Sequence, residues 1–529
     1  MKHKLLFTVF FILLMQNCFS QTVVLDPTFG TGGIVVNSSI TDGQVIEMQS
    51  NGKTVSCYLS NFSSSGNIHL TRFNSDGSID TSFGVNGFVN TILFTEGGGF
   101  NMMKIQSNDK IIVTGCLFNL GNGGYNFATA RYNSDGTLDT SFGVNGYAIT
   151  DFGASNGDWS NTVEIQNDGT LLIGGFVTQN GNDAAIVRYL SNGVLDTSFA
   201  TNGKFTYNFG TNTIPFSSGL SGDEVFAIRV NSLGKIIVGI ITDVNESWID
   251  YANFGFICLN QNGTIDTSFG NNGVKVVDFG DRDLLLNIQL TTDNKIIATG
   301  YHGYAVGSNS YANIPLVKLL ENGNYDTSFG NNGIVLTNRD SSNLTDLSYD
   351  LSIQSDGKII CFGATPDPTN SRNNFLLIRF NTNGSLDTTF NNVGYKSVDF
   401  NTSSAIGTSF LIQNDGKLLC AGSINQSSSV YVGCLARLQF DNLATNTLTN
   451  KSFTIYPNPF SESITIESKE VNLQNATLEL YDSIGRKLSD FEIDSNNSTI
   501  QMDANLSKGN YFLKITNEGK SETVKIIKQ

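Results

Sequence analysis

The chain has 529 residues, of which 54 are glycine, only 7 are proline and 15% are charged. That balance suits many tight β turns and excludes both a disordered proline-rich chain and a set of helices with solvated charged faces. The formal charge of −16 repels phosphate backbones and anionic lipid, so no nucleic acid and no membrane-surface partner is expected.

In chain order, residues 1–20 read as a secretory signal. Lys2 and Lys4 supply the positive start, Leu5 to Met15 the apolar segment, and Ser20 a small residue before a mature Gln21. The apolar run of eleven residues is too short to span a bilayer, so no transmembrane span is expected. Met15-Gln16-Asn17 is a poor lead-in to lipidation at Cys18. Export permits disulfides, yet Cys57, Cys116, Cys258, Cys361, Cys420 and Cys434 lie in or beside apolar strand patterns without paired spacing. They read as small buried thiols, with Cys420 and Cys434 the one pair close enough along the chain to suggest a bridge.

A phrase close to Asp80-Thr-Ser-Phe83-Gly84-Val-Asn-Gly87 then begins at Asp26, Asp80, Asp139, Asp196, Asp266, Asp326 and Asp387. Units of this size cannot bury an apolar face alone, so seven of them point to a closed or stacked repeat architecture. Each unit carries four short β signals. The first follows the phrase, as in Gly146-Tyr-Ala-Ile-Thr-Asp-Phe152, and the second ends in an apolar-Gln pair such as Ile105-Gln106. The third is continuously apolar, as in Lys110-Ile-Ile-Val-Thr-Gly115, and the fourth ends near a basic residue, as in Ala130-Arg131-Tyr132. Four strands in seven units predict an all-β fold, a seven-bladed β-propeller of four-stranded blades. The polar first strand suits an outer rim. Strands two to four of one unit, with the first strand of the next, would then form a blade, and Gly33-Ile-Val-Val36 would complete the last one.

Arg72, Arg131, Arg188, Lys318 and Arg379 each precede the next phrase aspartate by eight residues, with Cys258 in that place before Asp266. This spacing predicts a recurring cation–carboxylate pair that fastens the fourth strand to the loop after it. Repetition around a ring makes the role structural rather than catalytic.

The Leu-Asp-Thr-Ser-Phe-Gly, Asp-Gly-Lys-Ile and Arg-Tyr-Asn motifs resemble the delta-60 repeat of bacterial surface and secreted proteins, over residues 23–441. The resemblance implies a propeller and export, with no defined chemistry.

Residues 442–452 read as a linker after a propeller spanning 21–441. The tail, 453–529, opens on Tyr456-Pro457-Asn458-Pro459 and has short alternating strands that predict a small C-terminal β-sandwich. With Gly485, Gly509, Tyr511, Lys525 and Lys528, it resembles a type A C-terminal sorting domain of the type IX secretion system. That resemblance implies a Bacteroidota-type cell, passage through the outer membrane and the secretion machinery as partner.

Chemistry is sparse. His69 and His302 are the only histidines beyond residue 20, too few for a zinc site, and no phosphate loop or Gly-x-Ser-x-Gly elbow occurs. Asp76-Gly77-Ser78-Ile79-Asp80 lacks the oxygen spacing of a calcium loop and reads as a turn. No metal and no cofactor are expected. Glu47, Lys104, Glu164, Ala227, Asn287, Ser352 and Leu411 are assigned to one position on strand two; if that strand lines a channel, Glu47 and Glu164 are the candidate catalytic carboxylates. Long connections, all on one face, carry Trp159, Trp248, Tyr251, Tyr301, Tyr304 and Tyr311, suited to sugar or peptide contacts. The expected function is a monomeric, non-enzymatic recognition or adhesion propeller, secreted or at the outer-membrane surface, with a glycan or protein ligand. The alternatives are a hydrolytic, carbohydrate-active propeller and a structural surface-layer spacer.

Overall fold

A computed structural model describes residues 21–441 and 454–529, apart from the stretches 38–43, 59–65, 95–97, 120–122, 154–156, 179–180, 211–221, 243–251, 281, 307–308, 338–344, 371, 401–402, 428–429, 468–475, 483–485, 494–496, 504–505 and 518–519. The expected signal segment, the linker, Trp248, Tyr251 and Gly485 lie outside the described residues. The chain divides into two compact units, Met1–Phe440 and Asp441–Gln529.

The described residues of the first unit form seven antiparallel sheets, six of four strands and one of five. Numbered by sequence, blades 1 to 6 span 44–94, 98–150, 158–207, 224–277, 282–337 and 347–398, and blade 7 spans 404–441. The first strand of each sheet packs beside the first strand of the next, and that of blade 7 beside that of blade 1. The result is a closed β-propeller with those strands innermost.

Every blade is sandwiched between two others, so its middle strands are apolar on both faces. Ile236–Thr242 and Asn253–Leu259 are buried at every position. Each core is shared across a junction. One joins Leu172, Ala184 and Ile186 of blade 3 to Val225, Ile228 and Val238 of blade 4. Each such side chain contributes ~1.5–3 kcal/mol on burial, which no blade could gain alone.

The ring closes through its N-terminal segment. Ile34–Asn37 pairs antiparallel with Val430–Asp441, Ile34 opposite Ala436, and Thr22–Leu25 joins the same sheet. Phe29 enters a core with Ile46 and Phe73 of blade 1 and Leu419 and Leu435 of blade 7. The six described cysteines are buried free thiols; Cys420 and Cys434 lie on paired strands two registers apart, without a bridge.

Each junction carries an ionic cluster around one phrase aspartate. In blade 2, Arg131 Nε lies 2.6 Å and Lys110 Nζ 2.7 Å from Asp139 Oδ2. The Ser141 backbone and hydroxyl donate to Asp139 Oδ1 at 3.2 and 2.6 Å. The guanidinium lies 4.6 Å from the Phe142 ring centre, and a second nitrogen donates to Ser191 O in the next blade at 2.5 Å. The arginine thus joins two blades. The interblade bond recurs at Arg72–Asp80 and Arg188–Asp196, whereas Arg379 keeps the pair with Asp387 and gives a second nitrogen to Gln354 Oε1 of its own blade. Lys318 stands 3.8 Å from Asp326, and blade 3 has Thr170 in place of the third-strand lysine. At the seam Arg437 Nε reaches Asp26 Oδ2 at 2.8 Å across 411 residues, and another of its nitrogens donates to Ser75 O.

Blade 4 is the exception. Cys258 Sγ is 3.8 Å from Asp266 Oδ2, and Lys235 at 2.8 Å is the one cation paired with that carboxylate among the described residues. Burial chiefly raises the Cys258 thiol and the Asp266 hydrogen bond chiefly raises the Lys235 ammonium, and Glu321 of blade 5 adds a smaller push to both.

The second unit is a sandwich of a three-stranded and a four-stranded sheet. Ile464 and Ile466 of the first pack with Leu478, Leu480, Leu513 and Ile515 of the second.

Arg131→Ala leaves Asp139 buried beside one lysine, and chemical denaturation should register a loss of about 3 kcal/mol. Hydrogen bonds and cations hold Asp26, Asp80 and Asp139 far below the usual carboxylate range, against burial. Their contribution is therefore complete above about pH 4 and lost as pH falls toward the folded-state values. Acid titration of Arg131→Ala should accordingly show a smaller loss below pH ~4 than wild type. Cys258→Arg places a guanidinium between Asp266 and Glu321, and a melting temperature raised by about 2 °C or more is expected.

Candidate functional site

The innermost strands bring one set of side chains around the axis. Among the described residues six of them carry a β-bulge, placed between Phe100 and Met102, Ser160 and Thr162, Val225 and Ala227, Leu285 and Asn287, Ser348 and Asp350, and Gly407 and Ser409. Counted from the bulge, the equivalents of Lys104 and Glu164 are Arg229, Gln289, Ser352 and Leu411. Glu47, opposite Val55, holds the same place. The assignment of Ala227 and Asn287 to this position is thus corrected: both stand two residues earlier. The apolar-Gln pair misled there, because the closing polar residue is Asn231 in blade 4 and Thr291 in blade 5.

The corrected ring alternates in sign over four blades: Glu47, Lys104, Glu164, Arg229. Lys104 Nζ is 2.7 Å from Glu47 Oε1, and Arg229 is 3.7 Å from Glu164. Arg229 also donates to Gln289 Oε1 at 3.3 Å and to Asn287 Oδ1 at 3.0 Å. Asn287 Nδ2 donates to Asp350 Oδ1 at 2.7 Å, and Phe410 N donates to the other oxygen of Asp350 at 3.0 Å. Glu47 holds the Lys104 ammonium above its usual range. Burial raises Glu164, opposed by Arg229 and Lys104, and pushes Asp350 up to about 6. Asp350 carries no repeat signal, and sequence reasoning missed it. Lys104 pairs with Glu47 and Arg229 stands beside Glu164, so the circuit ties neighbouring blades together.

A second recurring aspartate was also missed. Asp158, Asp223, Asp283 and Asp346 are buried at the start of four innermost strands. Each lies eight residues before the polar residue that closes its strand: Gln166, Asn231, Thr291 and Gln354. That spacing was the available signal. Three of them accept from the end of the preceding outer strand, through Phe152 N, Phe209 N and Phe279 N at 2.6–2.7 Å. Thr242 and Thr365 hydroxyls donate to Asp223 and Asp346 at 2.5 Å. His302 Nδ1 meets Asp283 at 2.6 Å. In blade 3 the facing residue is Val177, so Asp158 Oδ1 has no hydrogen-bond partner among the described residues, and burial pushes the carboxyl up to about 6.

At this same end of the ring, Trp159 and Phe176 form a cross-strand pair with near-parallel rings, 6.2 Å apart and inclined by 5°. Phe118 and Tyr125 form a second cross-strand pair, between the second and third strands of blade 2, at 5.2 Å. Tyr125 stands 4.8 Å from Trp159 across the junction, giving four half-buried aromatics in one cluster. Tyr301, Tyr304 and Tyr311 belong to blade 5, where Tyr304 pairs with Tyr311 in register and Tyr301 with Leu284. His69 stacks on Tyr58 at 4.7 Å. Among the described residues no cluster of His, Cys, Asp or Glu could hold a metal ion, and no helix is long and apolar enough to cross a membrane.

In the second unit the Tyr456–Pro459 segment is tied to the last strand. Asn458 Oδ1 accepts from Ile527 N at 2.9 Å, and Phe460 N donates to Ile527 O at 2.8 Å. Tyr456 is exposed, and its hydroxyl lies 3.4 Å from Glu467. Tyr511 donates to Ser507 O at 2.7 Å, Lys528 lies over the Phe460 ring at 5.6 Å, and Gly509 and Lys525 belong to the last two strands.

Five stretches, 49–83, 106–142, 166–199, 234–269 and 354–390, match the family described as Domain of unknown function (DUF5122) beta-propeller. Residues 454–529 match the Secretion system C-terminal sorting domain. The chain is thus a repeat β-propeller with a type IX secretion sorting domain, and it is secreted or displayed at the outer-membrane surface. No curated protein matches it in sequence. Among solved structures it is similar to PorZ, described as an essential bacterial surface component of the type IX secretion system of Porphyromonas gingivalis. That match has 10% identity and a TM-score of 0.31, over 94% of this chain and 75% of that one. It is also similar to polysaccharide lyase Uly1 (11% identity, TM-score 0.43, over 76% and 90%) and to a PL25 ulvan lyase (12%, 0.44, over 79% and 94%). At such TM-scores these likenesses carry no argument about function.

Val177→Thr supplies the hydroxyl that Asp158 lacks. Because the buried carboxyl is raised, wild type loses stability as pH rises from about 4 through 6. The variant should flatten that loss and gain about 1 kcal/mol at neutral pH, measured by urea unfolding across pH.

Proposed function

We propose that the protein is a secreted or surface-displayed recognition propeller whose ligand, a glycan or another protein, docks at the variable-loop end of the ring. The reading rests on the cluster of Phe118, Tyr125, Trp159 and Phe176 across blades 2 and 3. Aromatic side chains with partly accessible faces offer large, rigid contact area at low entropic cost. The opposite end repeats the same ionic clusters around the ring, which favours a structural role there. A hydrolytic reading through Glu47 and Glu164 is less favoured, since Lys104 and Arg229 pair with them.

An array of polysaccharides and surface proteins probed with the full-length protein tests this reading. Trp159→Ala should weaken the bound species at least about tenfold, while the cooperative melt of the propeller is retained. Binding unchanged in Trp159→Ala and Tyr125→Ala would move the ligand elsewhere.

A further inference from the structure

We propose that the propeller holds the Asn-Gly pairs of its repeated phrase in a geometry that blocks their deamidation, so that these exposed turns endure outside the cell. The pairs are Asn86-Gly87, Asn145-Gly146, Asn202-Gly203, Asn272-Gly273 and Asn332-Gly333. Each occupies the two central positions of a tight hairpin. The asparagines have φ of 53–55° and the glycines 89–98°, the signature of a type I′ turn. Few residue pairs satisfy it: asparagine tolerates the left-handed region, and a Cβ on Gly87 would lie 2.2 Å from Ile79 Cγ2. The turn favours a dipeptide that is chemically labile in an open chain.

The labile step is attack of the glycine nitrogen on the asparagine side-chain carbonyl carbon. A bond forms between that nitrogen and Cγ, the Cγ–Nδ2 bond breaks, and ammonia leaves with the proton from the glycine nitrogen. Water then opens the five-membered imide to aspartate or to an isoaspartate, whose backbone is longer by one carbon. No oxidant or cofactor is needed, only a glycine nitrogen free to lose its proton and a peptide free to rotate.

The fold removes both freedoms. Gly87, Gly146, Gly203, Gly273 and Gly333 each donate their N–H to the phrase phenylalanine carbonyl, at 2.7–2.9 Å. Their own carbonyls accept from the fourth strand, through the backbone of Arg72, Arg131, Arg188, Cys258 and Lys318 at 2.9–3.2 Å. The residues flanking each pair are bonded to one another in both directions, Val144 with Tyr147 at 2.7 and 3.2 Å. Rotation of the Asn-Gly peptide breaks all of these bonds together, so attack requires the turn to open. An isoaspartate formed while a turn is open lengthens the hairpin by one backbone carbon, and the clamp cannot close again.

The test holds the full-length exported protein in mildly alkaline buffer, with and without urea, and maps its peptides by mass spectrometry. In urea the five asparagines should convert to acid, and in buffer each should convert at least about tenfold more slowly. Equal rates with and without urea overturn the proposal. Native-state hydrogen exchange provides an independent reading on the unmutated protein. Slow exchange at the five glycine amides supports the clamp, and exchange as fast as that of an unstructured peptide overturns it.

Discussion

A carboxylate taken from water into the gap between two blades sets the terms for the rest of the ring. An isolated buried charge is untenable, and here a phrase aspartate such as Asp139 is met by the Ser141 hydroxyl and backbone N–H and by cations on the third and fourth strands. The arginine adds what a local salt bridge would not, because its remaining nitrogen donates to a carbonyl of the neighbouring blade. Removing one partner strands the others, so the cluster behaves as a unit. Single blades have no complete core, and these clusters fix the distance at which apolar faces meet.

The two ends of the propeller differ in what they repeat. At the phrase end the glycines, phenylalanines and ion pairs recur almost unchanged, since each junction poses the same packing problem. At the other end the buried aspartates recur in four blades, and the residue after each is Trp159, Glu224, Leu284 or Leu347. The scaffold there is held from below while the side chains above it differ, an arrangement open to recognition.

Much of the architecture was legible because its determinants are close in sequence. The eight-residue spacing of Arg131 and Asp139 joins a strand to its own following loop, and the pair recurs often enough to stand out. Arg437 was invisible by the same logic, since its aspartate lies 411 residues upstream. The glycines ending the third-strand signals, such as Gly300 and Gly363, had no evident purpose. The bulges explain them: a Cβ there would come within 1.8 Å of Leu284 O and 2.0 Å of Leu347 O. Blade 4 reaches the same geometry with Ile240, so the glycine was not a dependable marker. The slip in assigning Ala227 and Asn287 has a related origin, because a rule built on glutamine fails where asparagine or threonine closes the strand.

The amino-acid sequence by itself determined the strand pattern, the turn types, the export signals and the units' mutual dependence, for these rest on backbone preferences and on contacts within one repeat. Only the tertiary structure decided which residues meet at the axis, that Lys104 pairs with Glu47 and Arg229 stands beside Glu164, and that Tyr125 and Trp159 share one cluster. Those neighbours come from different blades, and their encounter depends on bulge, register and ring closure, which no stretch of sixty residues encodes alone.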